Sequence, residues 1–205
     1  MNKGIAQAHG EYCIFMNSGD TFYDASTIEK SLPYLDGTAI VSGYTYTDKT
    51  IFPAPSEISL GMFMKFSLMH QSTFISTTIQ KKYGYDERYK IGADRKFLMQ
   101  VLLYDNVTYK AIDVTVSNFD MTGISMTNKA LEQKEREAIL RTLIPPRILK
   151  DYLNDSKEID YNLYLQLHQS KYRKLFYSLI MCMLRFIFLF TKSPKWLKGY
   201  PFRLK

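Results

Sequence analysis

Two periods organise the apolar positions of this chain. At helical spacing, Ala93, Phe97, Leu98, Val101 and Leu102 share one face of a segment running 93–104, which predicts a helix. At period two, "VTYKAIDVTVSNF" (107–119) alternates apolar and polar and predicts a strand. Residues 2–9 read as a helix end, with Ile5 and Ala8 apolar and Gly10 as the stop. Residues 11–16 form a short, nearly continuous apolar run, the kind of strand buried in an α/β sheet. Asp24 then caps a helix carrying Ile28, Leu32 and Leu35, closed by Asp36-Gly37. "TAIVSGYTYT" (38–47) is β-rich, and a turn at Asp48-Lys49 leads into a loop holding Pro53 and Pro55. "SLGMFMKF" (59–66) reads as helical, and "MHQSTFIS" (69–76) as a β-prone stretch entering a short helix at 77–83. A charged helix from Asn128 to Lys150, ending near Pro145-Pro146, lies beyond the sheet as a satellite. Strands alternating with helices predict a layered α/β domain with a largely parallel sheet.

Composition narrows the class. The chain has 205 residues, 46% hydrophobic and 15% aromatic, enough for a globular domain with appendages. Its formal charge of +7 is unevenly placed: residues 171–205 hold nine of the 27 Lys and Arg and no Asp or Glu. The basic character therefore belongs to a tail. Cys13 and Cys182 are far apart, which suits reduced thiols in an intracellular setting better than a disulfide framework. Three histidines without cysteine pairs argue against a zinc site. No basic-then-apolar leader opens the chain, and no repeat period or low-complexity segment interrupts it.

Three stretches carry candidate chemistry. The apolar run at 12–16 ends abruptly in Asn17-Ser18-Gly19-Asp20. Ligands of open α/β sheets collect beyond the carboxyl ends of strands, and a carboxylate beside a glycine there can hold a hard cation such as Mg²⁺ when phosphates supply further ligands. A plain turn leading to Asp24 explains the same residues. Asp94 follows Gly92-Ala93 at the opening of a helix, as a first-turn carboxylate favoured by the helix dipole or as a general base for an attacking hydroxyl. His70-Gln71, within "LMHQSTFI", is either a satisfied core pair or a polar pair facing the same cleft.

Four stretches, "MNKGIAQAHGEYCIFMNSGDTFYD", "MHQSTFI", "YDERYKIGADRKFLMQ" and "IDVTVSNFDMTGIS", resemble in order and spacing the later two-thirds of family 2 glycosyltransferases of the GT-A fold. The likeness is to bacterial enzymes that build surface polysaccharides and covers about residues 1–140. It implies a GT-A (Rossmann-like) mixed sheet flanked by helices, lacking the usual front nucleotide-binding unit, as if the chain were the downstream part of a longer reading frame. It implies an inverting transfer from a nucleotide-sugar donor to a lipid-linked or glycan acceptor. Asp20 matches the carboxylate that holds Mg²⁺ or Mn²⁺ against the donor diphosphate, with Ser18 and Gly19 beside it. Asp94 matches the catalytic base. Asn2, Lys3 and Gly4 match the segment before the donor-sugar site, and His70 and Gln71 a segment on the acceptor side.

The domain division expected from these readings is 1–125 for the partial GT-A domain, 126–170 for a helical extension and 171–205 for a basic membrane-interface segment. Residues 175–191 are a 17-residue, mostly apolar run, short of the roughly 20 residues a spanning helix wants. Arg185 in mid-run would cost about 2.5–3.5 kcal/mol at the bilayer centre. On a helical wheel Lys174, Ser178, Arg185 and Lys192 fall on one stripe, which suits a helix lying in the interface, with Trp196 and Tyr200 at headgroup level. A helix packed on the domain's own core is the alternative. The implied location is cytoplasmic, peripheral on the inner face of the cell membrane. A non-catalytic, membrane-associated acceptor-binding subunit is the competing reading. Nucleic acid is not an expected partner, because the tail's aromatics are interleaved with Leu, Ile and Met rather than left free to stack bases.

Overall fold

The computed structural model describes residues 1–48, 50–158, 174, 175, 177–179, 182 and 183. Residues 1–149 form one compact unit. Its sheet runs in the order β1 (Tyr12–Cys13), β5 (Thr73–Ser76), β3 (Ile40–Thr47), β6 (Tyr109–Asn118), β2 (Thr21–Phe22), with β4 (Thr50–Phe52) paired to the end of β3. Around it lie α1 (Asn2–Gln7), α2 (Thr27–Ser31), α3 (Leu60–Lys65), α4 (Thr77–Tyr83), α5 (Ala93–Asp105), α6 (Ile124–Thr127) and α7 (Lys129–Leu143). α8 (Pro146–Glu158) starts with the proline, where its missing N–H costs nothing.

The pleat divides the core. Ile40 and Ile75 point into a large cluster with Phe63, Phe97, Leu98, Met99 and Val101, while their neighbours Val41 and Phe74 join Ile112, Val114 and Val116 on the opposite face. Gly43 is required at the centre of β3. A Cβ there would lie 2.5 Å from the Val114 carbonyl oxygen, at a register shift between β3 and β6.

Four features depart from the sequence expectation. The sheet is mixed, as the family resemblance implies, where the alternation of strands and helices alone predicts a largely parallel one; among the described strands only β3 and β6 run parallel, and β1–β5, β3–β5, β3–β4 and β2–β6 are antiparallel. Between β3 and β5 the chain spends its length on the β4 hairpin, the proline loop and α3, then returns alongside β3. A parallel pairing would have needed a crossover to the other end of the sheet. The run 11–16 is not a buried strand: only Tyr12 and Cys13 join the ladder, half-buried and paired with β5 on one side. Ile14 and Phe15 then pack against opposite clusters.

The helix expected after Asp24 is a five-residue α2 followed by a 3₁₀ turn, Leu32–Tyr34. Its buried face is Thr27 and Ser31, whereas Ile28 and Leu32 are exposed. Short side chains let this helix approach β6 closely. Asp24 does not cap it directly; its Oδ1 accepts from Ser26 N at 2.8 Å, leaving Ser26 at the cap. Finally, α7 is no satellite: Ile139, Leu140 and Glu135 are buried, and Asn128 caps it by accepting from Leu131 N at 3.1 Å.

Residues 150–205 form a second unit, in which the described side chains of Tyr152, Leu153, Leu175, Tyr177, Leu179 and Met183 are exposed. The expectation for 171–205 lies largely outside the described residues. No helix among those described is long and apolar enough to cross a membrane.

Candidate active site

Three separated stretches converge at one end of the sheet. The first is the turn after β1. Asp20 N donates to Asn17 O at 3.0 Å, and Gly19 makes the turn with φ +96°, a backbone setting that favours glycine. Asp20 is held by two backbone donors: Asn17 N to Oδ2 at 3.2 Å, and Asp120 N, from the loop after β6, to Oδ1 at 3.0 Å. Gly19 has no room for a side chain, since a Cβ would lie 2.8 Å from both Cβ and Cγ of Asp120 and closer still to its Oδ2. Asp120 itself accepts from the backbone and side chain of Thr122, which hold its carboxyl below the usual range.

The second is the 3₁₀ turn His70–Ser72, fastened to the sheet by buried hydroxyls. Ser72 Oγ lies 2.6 Å from Ser117 Oγ and accepts from Thr45 Oγ1 at 2.7 Å, while Thr73 Oγ1 donates to Met69 O at 2.8 Å. Gln71 is 1% exposed, and its Nε2 has no hydrogen-bond partner among the described residues.

The third is the start of α5. The loop before it is tied at several points. Asn2 Nδ2 donates to Tyr85 O and Asn2 Oδ1 accepts from Tyr85 N, both at 2.8 Å. Lys96 pairs with Asp86, and Glu135 of α7 accepts from the backbone N–H of Lys90, Ile91 and Gly92, each at 2.8 Å. Gly92 caps α5 and Asp94 stands in its first turn.

These placements bring Asn17, His70 and Asp94 into one line. Asn17 Nδ2 lies 2.8 Å from His70 Nε2, and His70 Nδ1 lies 3.5 Å from Asp94 Oδ2. With the Asn17 amide donating, Nε2 accepts and Nδ1 carries the proton toward Asp94. Burial pushes the imidazole down; the Asp94 carboxylate, with a further contribution from Asp20, outweighs it and leaves His70 above its ordinary value. Burial and the charge of Asp94 likewise push the Tyr85 phenol up. The side chains of His70 and Asp94 are each about one-fifth exposed, so both are reachable from solvent.

A cavity of about 310 Å³ is lined by Ser42, Thr45, Phe52, Phe66, Ser67 and Met69, the residue before His70. The Ser67 hydroxyl is buried without a partner among the described residues. A second cavity, of about 380 Å³ beside Tyr23, Lys30 and Asp113, involves none of the candidate residues.

The chain is similar in sequence to glycosyltransferases. It is 28% identical over 134 residues to two uncharacterized glycosyltransferases of Mycobacterium tuberculosis, from strains CDC 1551 and H37Rv. The match takes in 60% of this chain and 50% of each relative, so the chain spans about half the length of those proteins. No protein-family model matches it. Two solved structures of residues 1–349 of Staphylococcus aureus TarS, one with UDP-GlcNAc and one with UDP, superpose with TM-scores of 0.49 and 0.43 at 15% identity. They cover 84% and 85% of this chain and are themselves covered over 56% and 55%.

Among the residues singled out from sequence, the fold brings His70 and Asp94 together and sets Asp20 where its charge reaches His70. Ser18 and Gly19 form the exposed tip of the first turn. Asn2 is occupied with the Tyr85 backbone and with Glu87, while Lys3 and Gly4 are exposed on α1. Sequence reading passed over Asn17, Asp120 and Glu135. Asn17 and Asp120 stood inside quoted motifs without a role of their own; contact with His70 marks out the first, and contact with Asp20 and Gly19 the second. Glu135 acts on backbone donors, a contact that leaves no residue-type signature.

Proposed function

We propose that the chain carries the acceptor-activating part of an inverting, family 2, GT-A glycosyltransferase that moves a sugar from a nucleotide-sugar donor to a lipid-linked or glycan acceptor in surface polysaccharide synthesis. The observation that carries the reading is the convergence of Asn17, His70 and Asp94 from stretches 53 and 24 residues apart, in a chain similar to named glycosyltransferases. Asp94 takes the proton of the acceptor hydroxyl. The freed oxygen pair forms the bond to the anomeric carbon, and the bond from that carbon to the donor phosphate breaks, its electrons leaving with the nucleoside diphosphate. His70, with its Nδ1 proton toward Asp94, keeps the carboxylate aimed. The cavity at Phe52, Phe66 and Met69 receives the acceptor: its aromatic walls suit the apolar face of a sugar ring.

Asp20 is the residue that would hold Mg²⁺ or Mn²⁺, with the Asp120 carboxylate beside Gly19 as its neighbour. The donor set fits a cation that arrives on a diphosphate, since Mg²⁺ needs only one or two carboxylates there. Among the described residues, no three His, Cys, Asp or Glu gather into a self-sufficient metal site. When bound, the cation neutralises charge on the departing diphosphate. The 171–205 segment attaches the protein to the inner face of the membrane.

The test is transfer from labelled UDP- or GDP-sugars with Mn²⁺ into the lipid or glycan fraction of membranes from cells making the protein. Asp94→Asn keeps shape and removes basicity, so turnover should fall on the order of 10²–10⁴ with donor binding retained. Asp20→Asn should weaken metal-dependent donor binding as well. Turnover within about threefold of the parent in Asp94→Asn overturns the base assignment.

A further inference from the structure

We propose that Glu135 is a positioning residue for Asp94, so that α7 sets the aim of the site's base. This rests on the reading of Asp94 given above and assigns a role to an element outside the stretches that carry the family likeness most clearly.

Glu135 lies on the buried side of α7, 7% exposed, and a buried carboxylate is costly unless its oxygens are satisfied. Here Oε1 accepts from Lys90 N, and Oε2 accepts from both Ile91 N and Gly92 N, each at 2.8 Å. Three consecutive N–H groups turned toward one anion make a concave backbone nest. It ends two residues before Asp94. Burial pushes the Glu135 carboxyl up, but the donors from Gly92, Lys90 and Ile91 outweigh it and leave it low, so the anion persists through neutral pH.

The nest cannot slide. At Gly92 a Cβ would lie 2.7 Å from Ile139 Cδ1, so the loop backbone presses directly on α7 one turn beyond Glu135. Just past Asp94, Arg95 Nη1 donates to Phe63 O at 2.7 Å, fixing the helix on its other side. Asp94 thus projects from a backbone held before and after it. A carboxylate 3.5 Å from its histidine partner loses that geometry when its backbone moves by an ångström, and misplacement on that scale is costly in a site that works by positioning.

The experiment reads the geometry without substrate. The His70 ring is followed by ¹H–¹⁵N NMR titration in the parent, Asp94→Asn, Glu135→Ala, Glu135→Gln and Glu137→Gln, with His70→Gln to assign the signal. Asp94→Asn should lower the His70 midpoint, and this sets the scale. Glu135→Ala should recover at least half of that downward shift, Glu135→Gln a smaller part. Glu137→Gln, on the exposed face of the same helix and hydrogen-bonded to Gln133, should leave it unchanged. A folded Glu135→Ala or Glu135→Gln with the parent midpoint overturns the proposal, as does an equal shift in Glu137→Gln. If neither Glu135 variant folds, Glu135 is structural only and the proposal is likewise overturned. Asp94→Asn without effect on His70 removes the pairing itself and sinks the proposal with it. Failure of sugar transfer with the His70 shifts intact would sink the functional reading and leave the positioning role standing.

Discussion

Replacing Gly19 with alanine tests the turn that presents Asp20. Two costs add. The backbone at φ +96° would be imposed on a residue with a side chain, at roughly 1–2 kcal/mol. The new Cβ would sit 2.8 Å from Cβ and Cγ of Asp120, and such overpacking costs about 1–3 kcal/mol. Together these make about 2–5 kcal/mol out of a typical total of about 5–15 kcal/mol. At about 2–4 °C per kcal/mol for a domain of this size, the melting temperature should fall by about 4–20 °C. The second cost depends on Asp120 and the first does not. Asp120→Gly removes the three atoms nearest the new Cβ, so a double-mutant cycle separates them. Gly19→Ala combined with Asp120→Gly should be less destabilised than the sum of the single changes by at least about 1 kcal/mol. Thermal and urea melts of the four proteins supply the numbers. Strict additivity, or a Gly19→Ala protein as stable as the parent, would refute the close packing of the two loops.

Two further outcomes follow from contacts in the fold, and a third from the charge of the tail. His70 is raised in the folded state above its ordinary value of 6.5, so the stability it gains from Asp94 is complete below that value and lost as pH rises through the folded one. Asp94→Asn should therefore cost stability at about pH 5.5 and little at about pH 8.5, and a pH-independent difference in melting temperature would contradict the pairing. Asn2→Ala strips partners from both the N–H and the C=O of Tyr85 and should cost about 1–3 kcal/mol in urea unfolding; a change under about 0.3 kcal/mol would show that water replaces the clamp. Deleting 171–205, with its nine basic and no acidic residues, should move the protein from the membrane to the soluble fraction, and unchanged sedimentation with membranes would exclude that segment as the anchor.

Local periodicity was enough to place most elements. The apolar stripe from Ala93 to Leu102 became α5, and the alternation at 107–119 became β6, because each depends on which side of its own segment a residue faces. Proline and asparagine likewise marked where α7 ends and begins, since backbone donors and acceptors at helix termini are satisfied locally. The order of the motifs carried the likeness to glycosyltransferases before any contact was known. Strand direction was not legible: β5 lies antiparallel to β3 because of where the intervening chain packs, and the same alternating pattern serves either direction. The burial of Thr27 and Ser31 over Ile28 was hidden too, because closeness to β6 outweighed hydrophobicity on that short helix. The line of Asn17, His70 and Asp94 needs three turns brought to one end of the sheet, and Glu135 reaches Gly92 across 43 residues. Spacing along a chain encodes faces and caps, whereas contacts between backbone and a distant carboxylate exist only once the core has closed around them.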